Sequence, residues 1–161
     1  MNKDINKMKN LKLLKPKEFN AEKHKRIIRK LRPHMDFKEF EELCSPIAKD
    51  ILENYEGFEK VEKGPQFTGT PFDFFGFKDR EPYIIELKCS LNYFHTPRET
   101  QKKRMQELLN KIIGLRIALL QVKIRKAQYR ILYNEEMDIL FNGAEAPLEP
   151  IERWLRDRME K

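Results

Sequence analysis

Two strand-like apolar segments joined by a short polar turn constrain the fold of this chain more than any other feature. The segments are Phe72–Phe77 and Pro82–Ser90, and the turn is Lys78–Glu81. Runs of aromatic and β-branched residues that are bounded by turn residues are typical of a β-hairpin. The sequence therefore predicts an antiparallel pair of strands at the centre of the fold.

The predicted hairpin brings two acidic side chains together. If the turn is centred between Asp79 and Arg80, Asp73 lies directly opposite Glu86. Directly opposed residues in a ladder have Cβ atoms roughly 4.5–5.5 Å apart, and like charges at that distance destabilise a sheet. Because the neighbouring residues are apolar, the pair needs either a proton or a cation. Mg²⁺ is the natural cation, since it binds one or two carboxylates and keeps several waters.

A lysine completes this candidate site. Lys88 follows Glu86 by two residues, so both side chains project from the same face of the strand. An ammonium group beside a metal can position a water molecule and offset the charge that develops on phosphorus. Two acids and a lysine therefore suit metal-assisted hydrolysis of a phosphodiester. The other interpretation is a surface salt-bridge ladder, in which Glu86 pairs with Lys88 or another neighbour.

The rest of the chain alternates between helical and extended patterns. Helical spacing predicts helices over 21–31, 36–55, 96–113 and 151–159, and further strands are expected over 58–61, 116–124 and 128–133. Pro46 leaves two interpretations of the second helix: a kink in one helix, or a new helix capped by Ser45. This order of elements predicts an α/β fold, a three-layer α/β/α sandwich with a central mixed β-sheet. A basic arm and helical extension over 1–35 would precede the main domain over 36–161.

Charge and cysteine content narrow the function further. The formal net charge of +7 favours a polyanionic partner, although a lysine-rich surface without a partner has the same composition. Cys44 and Cys89 lack metal-ligand spacing, and Cys89 should point to the buried side of the sheet as a core residue rather than a nucleophile. Without a signal peptide or a long apolar run, we expect a cytoplasmic protein with reduced thiols and no contact with a membrane.

The residues of the candidate site resemble a known family. Gly69-Thr70-Pro71-Phe72-Asp73 followed by Ile84-Ile85-Glu86-Leu87-Lys88 is similar to the motif of the PD-(D/E)XK nuclease superfamily, which includes type II restriction enzymes and Holliday-junction resolvases. The similarity covers about half of the chain, and three positions are diagnostic. It implies a restriction endonuclease-like fold and an endonuclease that uses Mg²⁺ (or Mn²⁺) to hydrolyse phosphodiester bonds in DNA. Asp73, Glu86 and the carbonyl of Leu87 would bind the metal, and Lys88 would assist the water.

The resemblance also implies further site residues. The family often adds a metal-binding acid on the preceding helix, and Glu42 is the chosen candidate here, with Glu41 and Asp50 as the other nearby acids. After the lysine strand the family tends to place a glutamine or a basic residue, which makes Gln101 a catalytic candidate. The expected nucleic-acid contacts are Lys102, Lys103, Arg104, Gln66 and Thr70. An exposed helix face and ordinary turn chemistry explain the same five residues without DNA.

Two other functions remain open at this stage. One is a non-catalytic nucleic-acid-binding module of the same fold, and the other is a structural or partner-binding protein. Metal binding separates the endonuclease and the binding module from the structural or partner-binding protein. Turnover that depends on Lys88 separates the endonuclease from the binding module. A homodimer would suit an enzyme that cuts two strands with one small site. The form of the substrate, which includes duplex, junction, flap, single strand and RNA, is not specified by the sequence.

Overall fold

The computed structural model describes residues 15–65, 70–95, 99–133 and 149–160. These residues form an α/β fold with a six-stranded mixed sheet and four helices. The strands are β1 (Lys17–Glu18), β2 (Glu59–Lys63), β3 (Phe74–Lys78), β4 (Glu81–Ser90), β5 (Arg116–Lys123) and β6 (Gln128–Tyr133). The helices are α1 (Lys25–Lys30), α2 (Phe37–Asp50), α3 (Glu99–Lys111) and α4 (Glu149–Met159). A 3₁₀ turn precedes α1, and a π-helical turn over Ile51–Tyr55 extends α2. No helix within these residues is long and apolar enough to cross a bilayer.

The sheet has the strand order β1-β6-β5-β4-β3-β2. Among the described strands, β4 and β5 form the parallel pair, and the other neighbouring strands are antiparallel. Parallel neighbours need a crossover connection, and the segment between β4 and β5 contains α3. This crossover places α3 beside the sheet near the end of β4.

The predicted register of the central hairpin is confirmed. Phe77 pairs with Pro82, and the ladder continues as far as the pair formed by Phe74 and Ile85. The turn is centred between Asp79 and Arg80, which both have positive φ angles, of 52° and 68°. Positive φ at both central residues is the geometry of the two-residue turn whose twist matches a hairpin.

Helices cover both faces of the sheet. Alternate residues of β4 belong to different apolar clusters, since Ile85 packs with α2 and Ile84 packs with α3 and α4. The first cluster contains Cys44, Ile47 and Ile51, and the second contains Met105, Leu108 and Leu155. Side chains that alternate in this way project from opposite faces of a strand. The buried residues therefore form one core on each side of the sheet.

The N-terminal part of the described chain packs against the rest of the fold. Residues 15–35 share the core of the main domain, because Phe19 and Leu31 are buried in the same cluster as α2. β1 adds a short edge strand, in which Lys17 pairs with Tyr129. Its two residues are exposed, so no alternation of apolar residues marks them in the sequence. Residues 1–14 of the predicted basic arm lie outside the described residues.

One continuous helix, α2, contains Pro46. Asp36 caps α2 by accepting a hydrogen bond from the backbone N–H of Glu39 at 3.3 Å, as the capping-box pattern predicts. The chain stays helical through Pro46, so Ser45 does not begin a new helix. Its hydroxyl instead donates to the carbonyl of Glu41 at 3.1 Å.

Candidate active site

β4 brings an acid and a lysine into the interior of the protein. Glu86 is 2% exposed and Lys88 is 5% exposed. Both lie on the face of β4 that Ile84 shares, which is the face covered by α3. Ionised side chains are almost never fully buried unless they are paired or bound to a metal. The surface-ladder interpretation of this pair therefore disagrees with its burial.

Asp73 lies one residue before β3, opposite Glu86 and just beyond the last paired residues of the hairpin. Three hydrogen bonds with backbone groups of neighbouring segments hold it there. Its N–H donates to the carbonyl of Ile85 at 2.9 Å, and its carbonyl accepts from the N–H of Gly64 at 2.8 Å. Its carboxylate Oδ2 accepts from the N–H of Leu87 at 2.7 Å. The side chain of Asp73 thus accepts a hydrogen bond from β4 at the residue before β3 begins.

The electrostatics of the acid pair favour a proton on Glu86 when no cation is bound. Burial raises the pKa of Glu86 well above its usual range, and the charge of Asp73 and a hydrogen bond with it act in the same direction. Lys88 acts in the opposite direction, but more weakly. A cation between the two carboxylates would replace that proton, as metal ligands must be deprotonated.

Gln101 bridges the acid and the lysine. The ammonium of Lys88 donates to Oε1 of Gln101 at 2.9 Å, and Nε2 of Gln101 donates to Oε2 of Glu86 at 3.0 Å. Gln101 lies one helical turn before Met105, which is fully buried against the sheet. α3 therefore presents the amide to the same face of β4 that carries Glu86 and Lys88. The structure brings together Asp73, Glu86, Lys88 and Gln101, four of the residues proposed from sequence.

The helical acid near the site is Glu41 rather than Glu42. Glu41 is half-buried, and its Oε1 lies 3.9 Å from the ammonium of Lys88, whereas Glu42 is exposed. The spacing in α2 explains this correction, because Glu41 lies in line with the buried Cys44 and Ala48. That spacing was visible in the sequence and would have selected Glu41. Glu41 reaches Lys88 beside the start of β3, since the described ladder between β3 and β4 begins at the pair of Phe74 and Ile85.

Four of the five residues expected to contact nucleic acid lie within the described part of the chain. Lys102, Lys103 and Arg104 are half-buried on α3, next to Gln101. Nε of Arg104 is buried and has no hydrogen-bond partner among the described residues. Thr70 donates its hydroxyl to the carbonyl of Pro65 at 3.0 Å. Gln66 lies outside the described residues. Contact of these residues with phosphate stays a prediction.

The donors at the site suit a hard divalent cation. Within the described part of the chain, no three side chains of His, Cys, Asp or Glu are arranged as a metal-binding group. Asp73 and Glu86 nevertheless offer two adjacent carboxylates. The N–H and C=O of one residue point to the same side of a strand, so the carbonyl of Leu87 faces Asp73 as its N–H does. Two carboxylates and one carbonyl are ligands that Mg²⁺ accepts together with water.

Other reactive side chains take structural roles. Cys89 is 2% exposed, as expected for a core residue, and its sulfur lies 2.7 Å from that of Cys44. Burial and the neighbouring thiol raise the pKa of Cys89 well above its usual value, which disfavours the nucleophilic thiolate. His24 is buried against Asp50, with Nε2 at 2.8 Å from Oδ2.

The arrangement as a whole can hold a cation beside a hydrogen-bonded ammonium group. A cation held there and the ammonium group would both be able to stabilise negative charge that develops on a bound substrate. No protein-family model matches the chain, and no curated protein matches its sequence significantly.

Proposed function

We propose that this chain is a divalent-metal-dependent endonuclease of the PD-(D/E)XK type, which hydrolyses phosphodiester bonds in DNA. The observation that carries the proposal is the burial of Glu86 and Lys88 beside Asp73, with Gln101 bridging the two. Burying ionisable groups costs several kcal/mol per ion before the attraction between them is counted. Groups whose protonation is strongly perturbed by burial and by a charged neighbour are concentrated at functional sites.

Each site residue has a distinct role in this proposal. Asp73, Glu86 and the Leu87 carbonyl hold Mg²⁺ or Mn²⁺, and Glu41 adds negative charge near Lys88. When bound, the cation supplies Lewis-acid stabilisation of the charge that develops on the phosphate. Lys88 uses one N–H to reach Gln101 and can direct its others to the attacking water and a phosphate oxygen. Gln101 fixes the position of that ammonium relative to Glu86.

The fold and the charge of the chain support the same proposal. A mixed sheet with helices on both faces is compatible with the three-layer α/β/α sandwich of restriction endonuclease-like proteins. The net charge of +7 suits a polyanionic substrate. Lys102, Lys103 and Arg104 lie on the helix that carries Gln101, where they would bind phosphates without reading the base sequence. A homodimer would supply a second site for a second strand.

The test is cleavage of single-stranded, duplex, nicked and branched DNA with Mg²⁺ or Mn²⁺. We expect the parent to cut and Asp73→Asn and Lys88→Met to lose at least about 10²-fold in rate, as removal of one charge-stabilising group typically costs. Lys38→Met is the matched control, because Asp36-Phe37-Lys38 repeats the acid-x-Lys spacing on an exposed surface.

The possible outcomes separate the three functions. Cleavage that survives in both site variants would mean that the activity comes from a contaminant or from another site. Binding of DNA without any cleavage would favour the non-catalytic module. If the parent neither binds nor cuts nucleic acid, the structural or partner-binding role is the better account.

A further inference from the structure

A pocket of about 190 Å³ lies where the loop after β4 meets the start of α2. Its lining includes the aromatic side chains of Phe37, Phe40 and Tyr93, together with His95 and the polar residues Ser90 and Asn92. Phe37 is 47% exposed and Tyr93 is 58% exposed. Aromatic surfaces that line one pocket suit a flat, unsaturated ligand better than an aliphatic one.

The pocket shares a wall with the candidate active site. The ring of Phe37 lines the pocket, and its centroid also lies 5.5 Å from the ammonium of Lys88. Cys89 follows Lys88 in β4 and lines the pocket, and its side chain projects from the face of β4 opposite to that of Lys88. A strand whose phosphate lies at Lys88 would therefore have its adjoining base within reach of Phe37.

Hydrogen bonds hold the wall formed by the loop after β4. The carbonyls of Ser90 and Leu91 accept from the N–H groups of Ile124 and Arg125 at 2.9 and 3.0 Å. The side-chain amide of the fully buried Gln121 donates to the carbonyl of His95. Tyr93 and His95 also meet edge to face, with ring centroids 4.4 Å apart. The pocket is thus largely formed before any ligand arrives, which lowers the entropic cost of binding.

Two cations lie beside the loop after β4, where their charge complements that of a nucleic-acid strand. Arg125 donates to the side-chain oxygen of Asn92 at 3.2 Å, so it lies at the rim. Lys123 lies 4.3 Å from the centroid of the Phe94 ring in the same loop. Aromatic side chains interleaved with cations are the usual way in which proteins bind unpaired nucleotides.

We infer that this pocket binds one unpaired nucleobase of the DNA strand whose scissile phosphate lies beside Lys88. Phe37 and Tyr93 stack against its faces, and Ser90, Asn92 and His95 lie near its polar edge. A base inside a duplex must be flipped out of the stack before a protein can contact its faces, whereas an unpaired base avoids this cost. The preferred substrate is therefore DNA that already has an unpaired nucleotide at the cleavage position, as in a single strand, a flap or a junction. This substrate class rests on the proposed nuclease function, but the pocket's preference for unpaired DNA can be measured without cleavage.

The test compares the binding of a labelled DNA single strand with that of the same strand in a duplex, by fluorescence anisotropy in EDTA. We expect the parent to prefer the single strand. Phe37→Ala and Tyr93→Ala should each weaken single-strand binding about 5- to 150-fold and leave duplex binding unchanged. Tyr93→Phe keeps the ring and should bind as the parent does. Ile113→Ala removes an apolar side chain that is 94% exposed, and is the matched control.

Each outcome decides a separate question. Equal binding of the single strand by the parent, Phe37→Ala and Tyr93→Ala would overturn the base-pocket inference, even if Asp73 and Lys88 prove essential for cleavage. A parent that binds both DNA forms equally, or neither, would also overturn it. A single-strand preference that depends on both rings would support the pocket, even if no cleavage were found and the nuclease proposal failed.

Discussion

The carboxylate of Asp73 accepts a hydrogen bond of 2.7 Å from the backbone N–H of Leu87, the residue between Glu86 and Lys88. The bond joins the residue before β3 to β4 and holds Asp73 opposite Glu86. Placing two carboxyl groups side by side opposes folding, through repulsion when both are ionised or through the free-energy cost of protonating Glu86. The backbone therefore maintains an arrangement that the isolated side chains would not adopt, which is typical of functional sites.

The first prediction concerns cation binding at the acid pair. Mg²⁺ or Mn²⁺ should raise the melting temperature of the parent, because a ligand that binds only the folded state stabilises it. At a cation concentration a hundredfold above Kd the gain is about 2.7 kcal/mol, or roughly 5–10 °C for a chain of this size. Glu86→Gln should abolish the shift, since it removes one of the two carboxylates. Calorimetry with and without the cation measures both.

The same substitution should leave the metal-free protein as stable as the parent, or more so. Folding forces the Glu86 carboxyl group towards its protonated form, and Glu86→Gln removes that free-energy cost, while an amide oxygen can still accept the hydrogen bond from Gln101. Asp79→Asn changes an exposed acid at the far end of the same hairpin and should keep the full cation response. An equal metal-induced shift in Glu86→Gln would show that the cation binds elsewhere.

Gln101 is expected to act as a positioning residue, because it touches Lys88 and Glu86. Gln101→Ala should lower kcat for DNA cleavage about 10- to 100-fold, the usual cost of removing a group that orients a site residue. KM and DNA affinity should change little. Gln106→Ala, in the same helix and hydrogen-bonded to Asn110, is the control and should cut at the parent rate. A rise in KM at constant kcat would instead assign Gln101 to substrate binding.

The sequence was sufficient to predict the hairpin and much of the site, because both follow from short-range rules. Side chains alternate with a period of two along a strand, so a known turn centre determines that Asp73 opposes Glu86. This relationship needs no knowledge of how distant elements pack. Gln101, by contrast, was expected at the site from the resemblance to the nuclease family, and it lies on α3, which begins at Glu99.

Packing between distant elements accounts for what was not predicted. Choosing Glu42 over Glu41 is an error of one residue, but one residue rotates a helix position by about 100° and exchanges a buried face for an exposed one. The edge strand β1 has no alternating pattern, and its pairing with β6 depends on a contact across more than a hundred residues. The pocket at Phe37 and Tyr93 likewise requires the start of α2 to meet the loop after β4.

A pH-dependent contribution to stability is expected at Asp50. Burial works to raise the pKa of this carboxyl, but hydrogen bonds from Lys23, Asn54 and His24 outweigh burial and lower the pKa to about 2. The folded pKa lies below the unfolded value of about 3.9, so ionised Asp50 stabilises the fold above about pH 4. That stabilisation is lost as the pH falls towards 2. Its size is roughly 1–2 kcal/mol, because the exposed Lys23 is partly screened by solvent.

Asp50→Asn tests this contribution by urea unfolding at a series of pH values. The variant should be less stable than the parent at neutral pH, and the difference should shrink between about pH 4 and pH 2 as the parent carboxyl becomes protonated. Glu53→Gln alters an exposed acid close by and should follow the parent curve. A stability difference that stays constant down to the lowest pH would mean that the charge of Asp50 is not responsible.

The hairpin turn should tolerate a stabilising substitution that leaves the site unchanged. Arg80 is exposed and has a φ of 68°, in the left-handed region that costs a residue with a Cβ atom about 1–2 kcal/mol. Glycine adopts this conformation without that cost, but it also raises the conformational entropy of the unfolded chain. Arg80→Gly should therefore stabilise the protein by a net gain of about 0.5–1 kcal/mol. Urea unfolding should show a higher midpoint with the same dependence on denaturant. Arg80→Ala removes the charge but keeps the Cβ atom, and an equal gain there would refute the backbone explanation.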